Sequence, residues 1–142
     1  MQEYTTIYDR AEDSFIERKS EFIGHIAPVE TEEQALAFIA EIKKKHHDAT
    51  HNTHAYILRN GVKRYSDDGE PQGTAGVPML DCIEKEGLVD VAVVVTRYFG
   101  GIKLGTGGLV RAYTSSATLG LAAAGVCDVC ERHVPTYALD YT

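Results

Sequence analysis

Five glycines fall within nine residues in Gly100-Gly101-Ile102-Lys103-Leu104-Gly105-Thr106-Gly107-Gly108. Such a stretch lets a backbone turn sharply and approach a partner or ligand closely. It sits between a β-branched run and a helical pattern, so its N–H groups would open a helix. Free amides at that position attract anions. Arg97, Lys103 and Arg111 add positive charge, and no Asp or Glu occurs from residue 91 to 127. The candidate ligand or partner surface here is Arg97, Tyr98, Gly100, Gly101, Lys103, Gly105, Gly107, Gly108 and Arg111. The spacing is neither that of a P-loop nor G-x-G-x-x-G. Two readings stand: a small-anion or phosphate site, or a sharp connection with close helix–sheet packing.

Asp67, Asp68 and Glu70 place three carboxylates within four residues. Hard divalent cations take such ligands, but the spacing is not that of an EF-hand. A turn held by side-chain hydrogen bonds, its charges paired elsewhere, is the plainer reading. If this loop faces Arg97 or Lys103, the two segments form one polar cleft.

His46, His47, His51 and His54 crowd nine residues. They cross a helix end, a loop and a strand start, and no H-E-x-x-H occurs, so a pH-titrating polar surface is preferred to a metal. His46 and His54 are the candidates there. Cys82, Cys127 and Cys130 are too few for a disulfide framework. Cys127-x-x-Cys130 with His133 falls one ligand short of a structural zinc site, so they read as small apolar residues. Ser115 and Ser116 lie on a predicted helix without a nucleophile elbow. No catalytic residue, metal or cofactor is assigned.

The elements that must hold these groups follow from pattern. Residues 3–29 predict two or three antiparallel strands, with turns near 11–14 and 19–21. Thr31-x-x-Gln34 has capping-box form, and Ala35, Leu36, Phe38, Ile39 and Ile42 continue an apolar helical stripe. Lys43, Lys44 and Lys45 suit the negative end of that helix's dipole. Residues 54–66 predict a hairpin around Asn60-Gly61, with the positive φ of a type I′ turn at both. A second helix is expected from Thr74 or Gly76 to about Lys85, closed by Gly87. Residues 88–96, LVDVAVVVT, predict a central strand buried on both faces. A long third helix follows over 107–124, then a short strand and tail. This order predicts an α+β fold: a two-layer domain, with helices on one face of a mainly antiparallel sheet.

The chain has 142 residues, a net charge of −7 and 25% charged residues. That suits one domain and argues against strong sequence-independent binding to nucleic acid. No apolar run has the length of a membrane span, and the N-terminus lacks signal-peptide character. A cytoplasmic location is expected, without a membrane partner.

Ser66-Asp67-Asp68-Gly69-Glu70-Pro71, then Gly73-Thr74-Ala75-Gly76-x-Pro78, closely resembles the Impact/YigZ family. So does Arg97-Tyr98-Phe99-Gly100-Gly101-x-x-Leu104-Gly105-Thr106-Gly107-Gly108-Leu109-Val110-Arg111-Ala112-Tyr113. Lys19-Ser20-x-Phe22 and His46-x-x-Ala49 also match, and the likeness runs from about residue 15 to 126. Thr74 joins the candidate surface through this motif. The resemblance implies the fold of the second domain of a small-subunit ribosomal protein. It implies an Impact N-terminal-type domain over 1–134, with 135–142 a tail or the start of a missing ferredoxin-like domain. Eukaryotic relatives regulate translation under amino-acid starvation by binding a ribosome-associated activator, and so restrain a kinase that phosphorylates an initiation factor. The expected function is thus a non-enzymatic regulatory domain linked to translation or stress response. Its expected partner is a ribosome-associated protein or RNA. The alternative is a phosphate-ligand-binding enzyme using the glycine-rich loop.

Overall fold

The chain alternates short strands with three helices, and the computed structural model describes residues 3–130 of it. In order come β1 (Glu3–Ile7), β2 (Ala11–Glu17), β3 (Ser20–Pro28), α1 (Glu32–Lys45), β4 (His51–Ile57), β5 (Lys63–Ser66), α2 (Gly76–Lys85), β6 (Val91–Tyr98), α3 (Gly105–Ala124) and β7 (Val126–Cys130). Five strands form one antiparallel sheet in the order β2-β3-β6-β4-β5. β1 and β7 form a separate antiparallel pair. The expected α+β class with a mainly antiparallel sheet stands. The expected tail at 135–142 lies outside the described residues.

β6 sits at the centre of the sheet, and every residue from Val91 to Arg97 is buried. Side chains alternate faces along a strand, so a fully buried strand needs cover on both. That requirement corrects the expectation of helices on one face. Phe22, Ile26, Ala55, Val93 and Val95 pack with Met79 and Ile83 of α2 and Tyr113 and Ala117 of α3. Ala27, Tyr56, Ala92 and Val94 pack with Ala35, Phe38, Ile39 and Ile42 of α1.

Local signals placed the helices well. The Thr31 side chain caps α1 by accepting from the Gln34 N–H at 3.1 Å. The Gln34 side chain reaches back one residue further than a strict capping box, to the Glu30 N–H at 2.7 Å. α3 starts two residues before its predicted first turn, at Gly105, and Gly125 ends it.

The turns differ more. Residues 11–14 lie inside β2, and the first two turns fall at 8–10 and 18–19. The β4–β5 hairpin closes through a longer loop than the two-residue turn expected. Leu58 N–H donates to the Val62 carbonyl, and Gly61 N–H donates to the Leu58 carbonyl. Gly61 takes φ +94 and Asn60 does not share its left-handed backbone. This is the three-residue loop with a glycine bulge, which also satisfies the strand twist.

The second core gives a direct check. Phe38, 3% exposed against the α1 face, should cost about 3–5 kcal/mol when changed to Ala. Urea unfolding measures this; a loss under about 0.5 kcal/mol, the range of surface changes, would contradict a core beneath α1.

Candidate functional site

β6 ends at the sheet's centre and delivers Arg97 to the start of the glycine-rich loop. Arg97 is buried, and its guanidinium donates two hydrogen bonds to Glu70, at 2.6 and 2.8 Å. A third goes to the Ser20 hydroxyl at 3.2 Å. Tyr113 of α3 donates its hydroxyl proton to Glu70. His51 Nε2 lies 3.4 Å from the same carboxylate. Phe22 and Phe99 flank the guanidinium, at 5.9 and 5.6 Å from ring centroid to its carbon. Burial opposes the Arg97 charge, but the Glu70 hydrogen bonds and charge outweigh it and raise its pKa. Burial, with Glu70 close by, raises that of Tyr113 well above its ordinary value.

The acidic loop is spent on backbone amides and on this pair. Asp67 accepts from the N–H groups of Gly73, Ala75 and Gly76, at 3.0, 3.2 and 2.8 Å. It thereby closes the loop onto the N-terminus of α2, where a carboxylate suits the dipole. Asp68 accepts from Asn52 N–H at 2.7 Å, and its carbonyl bonds His51 Nδ1 at 2.7 Å. Thr74 is buried, its hydroxyl donating to the Pro71 carbonyl at 2.5 Å. These partners account for the side chains of Asp67, Asp68 and Thr74. Among the described residues no cluster of three His, Cys, Asp or Glu is arranged to hold a metal.

The loop itself docks on the β2–β3 turn. A methyl group at Gly100 would overlap the Lys19 carbonyl, so only glycine fits there. Gly100 N–H also donates to Ser20, at 3.3 Å. Gly101 and Gly105, at φ +96 and +77, flank Ile102, Lys103 and Leu104. Leu104 precedes α3 as its N-cap and makes no capping side-chain bond. Gly107 leaves room for the Arg111 guanidinium, which folds back to 3.3 Å from where a Cβ would stand. Gly108 lies against Leu104.

The three cations therefore do not converge in one concavity. Arg97 is buried and neutralised by Glu70. Lys103 lines a hollow of about 410 Å³ with Pro71, Phe99, Leu104, Thr106 and Leu109, its walls mostly carbon. Arg111 lines another of about 300 Å³ with Arg18, Leu104 and Gly108. Lys103, Arg111, Arg18 and Lys19 are exposed, and none pairs with a carboxylate among the described residues. Arg18 and Lys19 were not placed beside the loop from the sequence, because a two-residue turn, not sequence proximity, brings them there. Ser20 as a partner of Arg97, and His51 and Tyr113 as partners of Glu70, were likewise missed, although Ser20 and Tyr113 stand in the motifs.

His46 and His54 lie on the other face, towards the C-terminal end of α1. His46 Nδ1 donates to the Tyr98 hydroxyl at 2.8 Å, and Tyr98 donates to Asp48 at 2.9 Å. Tyr98 is thus tied to α1 rather than to the glycine loop's outer surface. His46 Nε2 and His54 Nδ1 are buried without partners. Burial lowers the pKa of His54. His25, 5.2 Å from His46 between ring centroids, is held down at about 4, chiefly by burial and then against the pull of Glu12. Its Nε2 donates to Thr96, whose own proton goes to Asn52. Cys82 is buried and Cys127 half-buried, both free thiols; burial pushes the Cys82 thiol up. His133 lies outside the described residues.

Taken together, an antiparallel sheet covered on both faces, whose central strand feeds a glycine loop clamped by a buried Glu–Arg pair, defines the class of α+β domain to which the chain belongs. The Impact N-terminal domain model matches residues 18–121, and the chain belongs to that family. Similar relatives are the IMPACT family member YvyE of Bacillus subtilis, 46% identical across all of this chain, and YigZ of Escherichia coli, 44% identical over 68% of it. The chain spans 66% of the first and 49% of the second. A crystal structure of a hypothetical protein superposes with TM-score 0.86 and 34% identity, over 91% of this chain and 65% of its own.

Two predictions follow from the site. Arg97→Met leaves Glu70 buried and unpaired, and should cost about 3–5 kcal/mol. Adding Glu70→Leu should recover part of that loss in urea unfolding. If the single variant is as stable as the parent, the pair does not clamp the loop. The second concerns pH. His25 binds its proton less readily folded than unfolded, so its neutral form favours the fold. That contribution is fully present above about 6.5 and is lost as pH falls through about 4. His25→Gln should flatten the fall of melting temperature across that window. An unchanged profile would assign the acid sensitivity elsewhere.

Proposed function

We propose that this chain is a non-enzymatic binding module of a translation-linked regulator, and that it meets a ribosome-associated partner, protein or RNA, through residues 99–111. The observation carrying this reading is the division of polar groups at the loop. Asp67, Asp68, Glu70, Thr74 and Arg97 are all occupied by protein partners. Lys103 and Arg111 stand free on the outside, beside exposed Phe99, Ile102 and Val110. A surface of unpaired cations and apolar side chains binds; it offers no positioned base or nucleophile for chemistry. The translation link draws on the family and on the resemblance to translational regulators. No helix among the described residues is long and apolar enough to cross a membrane.

The uncapped first turn of α3 favours a second reading, a phosphate-ligand-binding enzyme. A thermal-shift series with nucleotides and sugar phosphates, with and without Mg²⁺, separates the two. Stabilisation by a phosphate compound would favour the enzyme.

The binding reading predicts that the chain sediments with ribosomes through a sucrose cushion at low salt. Lys103→Glu with Arg111→Glu should weaken that association about tenfold or more while leaving the melting temperature unchanged. Arg97 is unsuitable for this test, because its reversal would unfold the clamp. Equal sedimentation of parent and variant, or none by either, contradicts the reading.

A further inference from the structure

We infer that the occupant of this surface is an acidic protein segment that inserts one apolar side chain into the hollow beside α3. The inference rests on the binding reading above and adds the partner's chemistry. Leu104 lines both hollows, so they lie on either side of it and form one continuous surface. On one side Pro71, Phe99 and Leu109 present carbon to a space of about 410 Å³. That is at the lower end of the roughly 300–1,000 Å³ of small-ligand sites, room for one inserted side chain. On the other side stand Arg18 and Arg111, with Glu17 the one carboxylate in that lining.

The Glu70 carboxylate that lines the first hollow is already satisfied. Its oxygens accept from Arg97 and Tyr113, and Arg97 directs three of its five N–H donors at Glu70 and Ser20. Recognition inside is therefore apolar, and recognition at the rim is cationic. Lys103, Arg111, Arg18 and Lys19 lack acidic partners among the described residues, so carboxylates of a partner would complete them.

RNA fits less well. Single-stranded nucleic acid is held by stacked aromatic platforms in a basic groove. Both faces of this sheet are covered by helices. Of the aromatic residues in the loop, Phe99 is exposed, while Tyr98 is tied to His46 and Asp48. A chain carrying −7 overall also repels a long polyanion. A short acidic segment with an apolar anchor meets the local cations without that burden.

The test is fluorescence polarisation of three labelled probes with the parent chain. They are an Asp/Glu peptide with one central Phe, the same peptide with Ser in its place, and oligo-uridine. The Phe peptide should bind at least about tenfold more tightly than the other two. Lys103→Glu should weaken it about tenfold or more. Thr106→Glu places a carboxylate in the first turn of α3, where the dipole favours it. That variant should melt no lower than the parent and still lose peptide binding, which separates binding from folding. Equal binding of the Phe and Ser peptides, tighter binding of oligo-uridine, or indifference to both substitutions overturns the inference. Ribosome association that persists without peptide binding would leave the binding reading standing and this partner chemistry wrong. Loss of both would remove the two together.

Discussion

One buried ion pair organises this domain. Glu70 comes from the loop before α2 and Arg97 from the end of the central strand. Ser20 ties in the β2–β3 turn and Tyr113 ties in α3. Four segments distant in sequence thus meet at a single guanidinium–carboxylate contact. Burying two charges is costly, and here bidentate geometry with further hydrogen bonds offsets much of that cost.

The clamp accounts for the polar groups gathered around the glycine-rich segment. Its most polar residues are committed before any partner arrives. Asp67 closes the N-terminus of α2, and Asp68 holds the start of β4 through Asn52. Gly100 lets the loop lie against Lys19, and the same turn places Arg18 beside Leu104. The same device that fixes the loop therefore builds its exterior. What remains outside is cationic and apolar, a combination suited to recognition.

Features governed by neighbours in sequence were legible from the residues alone. Thr31 and Gln34 announced α1, and the valine run announced β6. Features governed by distant neighbours were not. β1 pairs with β7, at the far end of the described chain, and nothing local encodes that register. The valine run implied cover on both faces, but only the fold shows α1 supplying one side. The motif residues of the site were legible as a set, whereas their roles were not. Arg97 reads as a free cation until Glu70, 27 residues away, is seen beside it. Lys103 and Arg111 read as its companions until the loop turns them to separate hollows.

The central claim is that partners meet the outer face of the glycine loop while the buried pair only holds it. Backbone amide hydrogen exchange, with and without ribosomes at low salt, measures this along the whole chain. The account expects added protection confined to residues 99–111 and the 18–19 turn, with the amides of 67–76 unchanged. Protection centred on 67–76, or on the α1 face around His46 and His54, would contradict it.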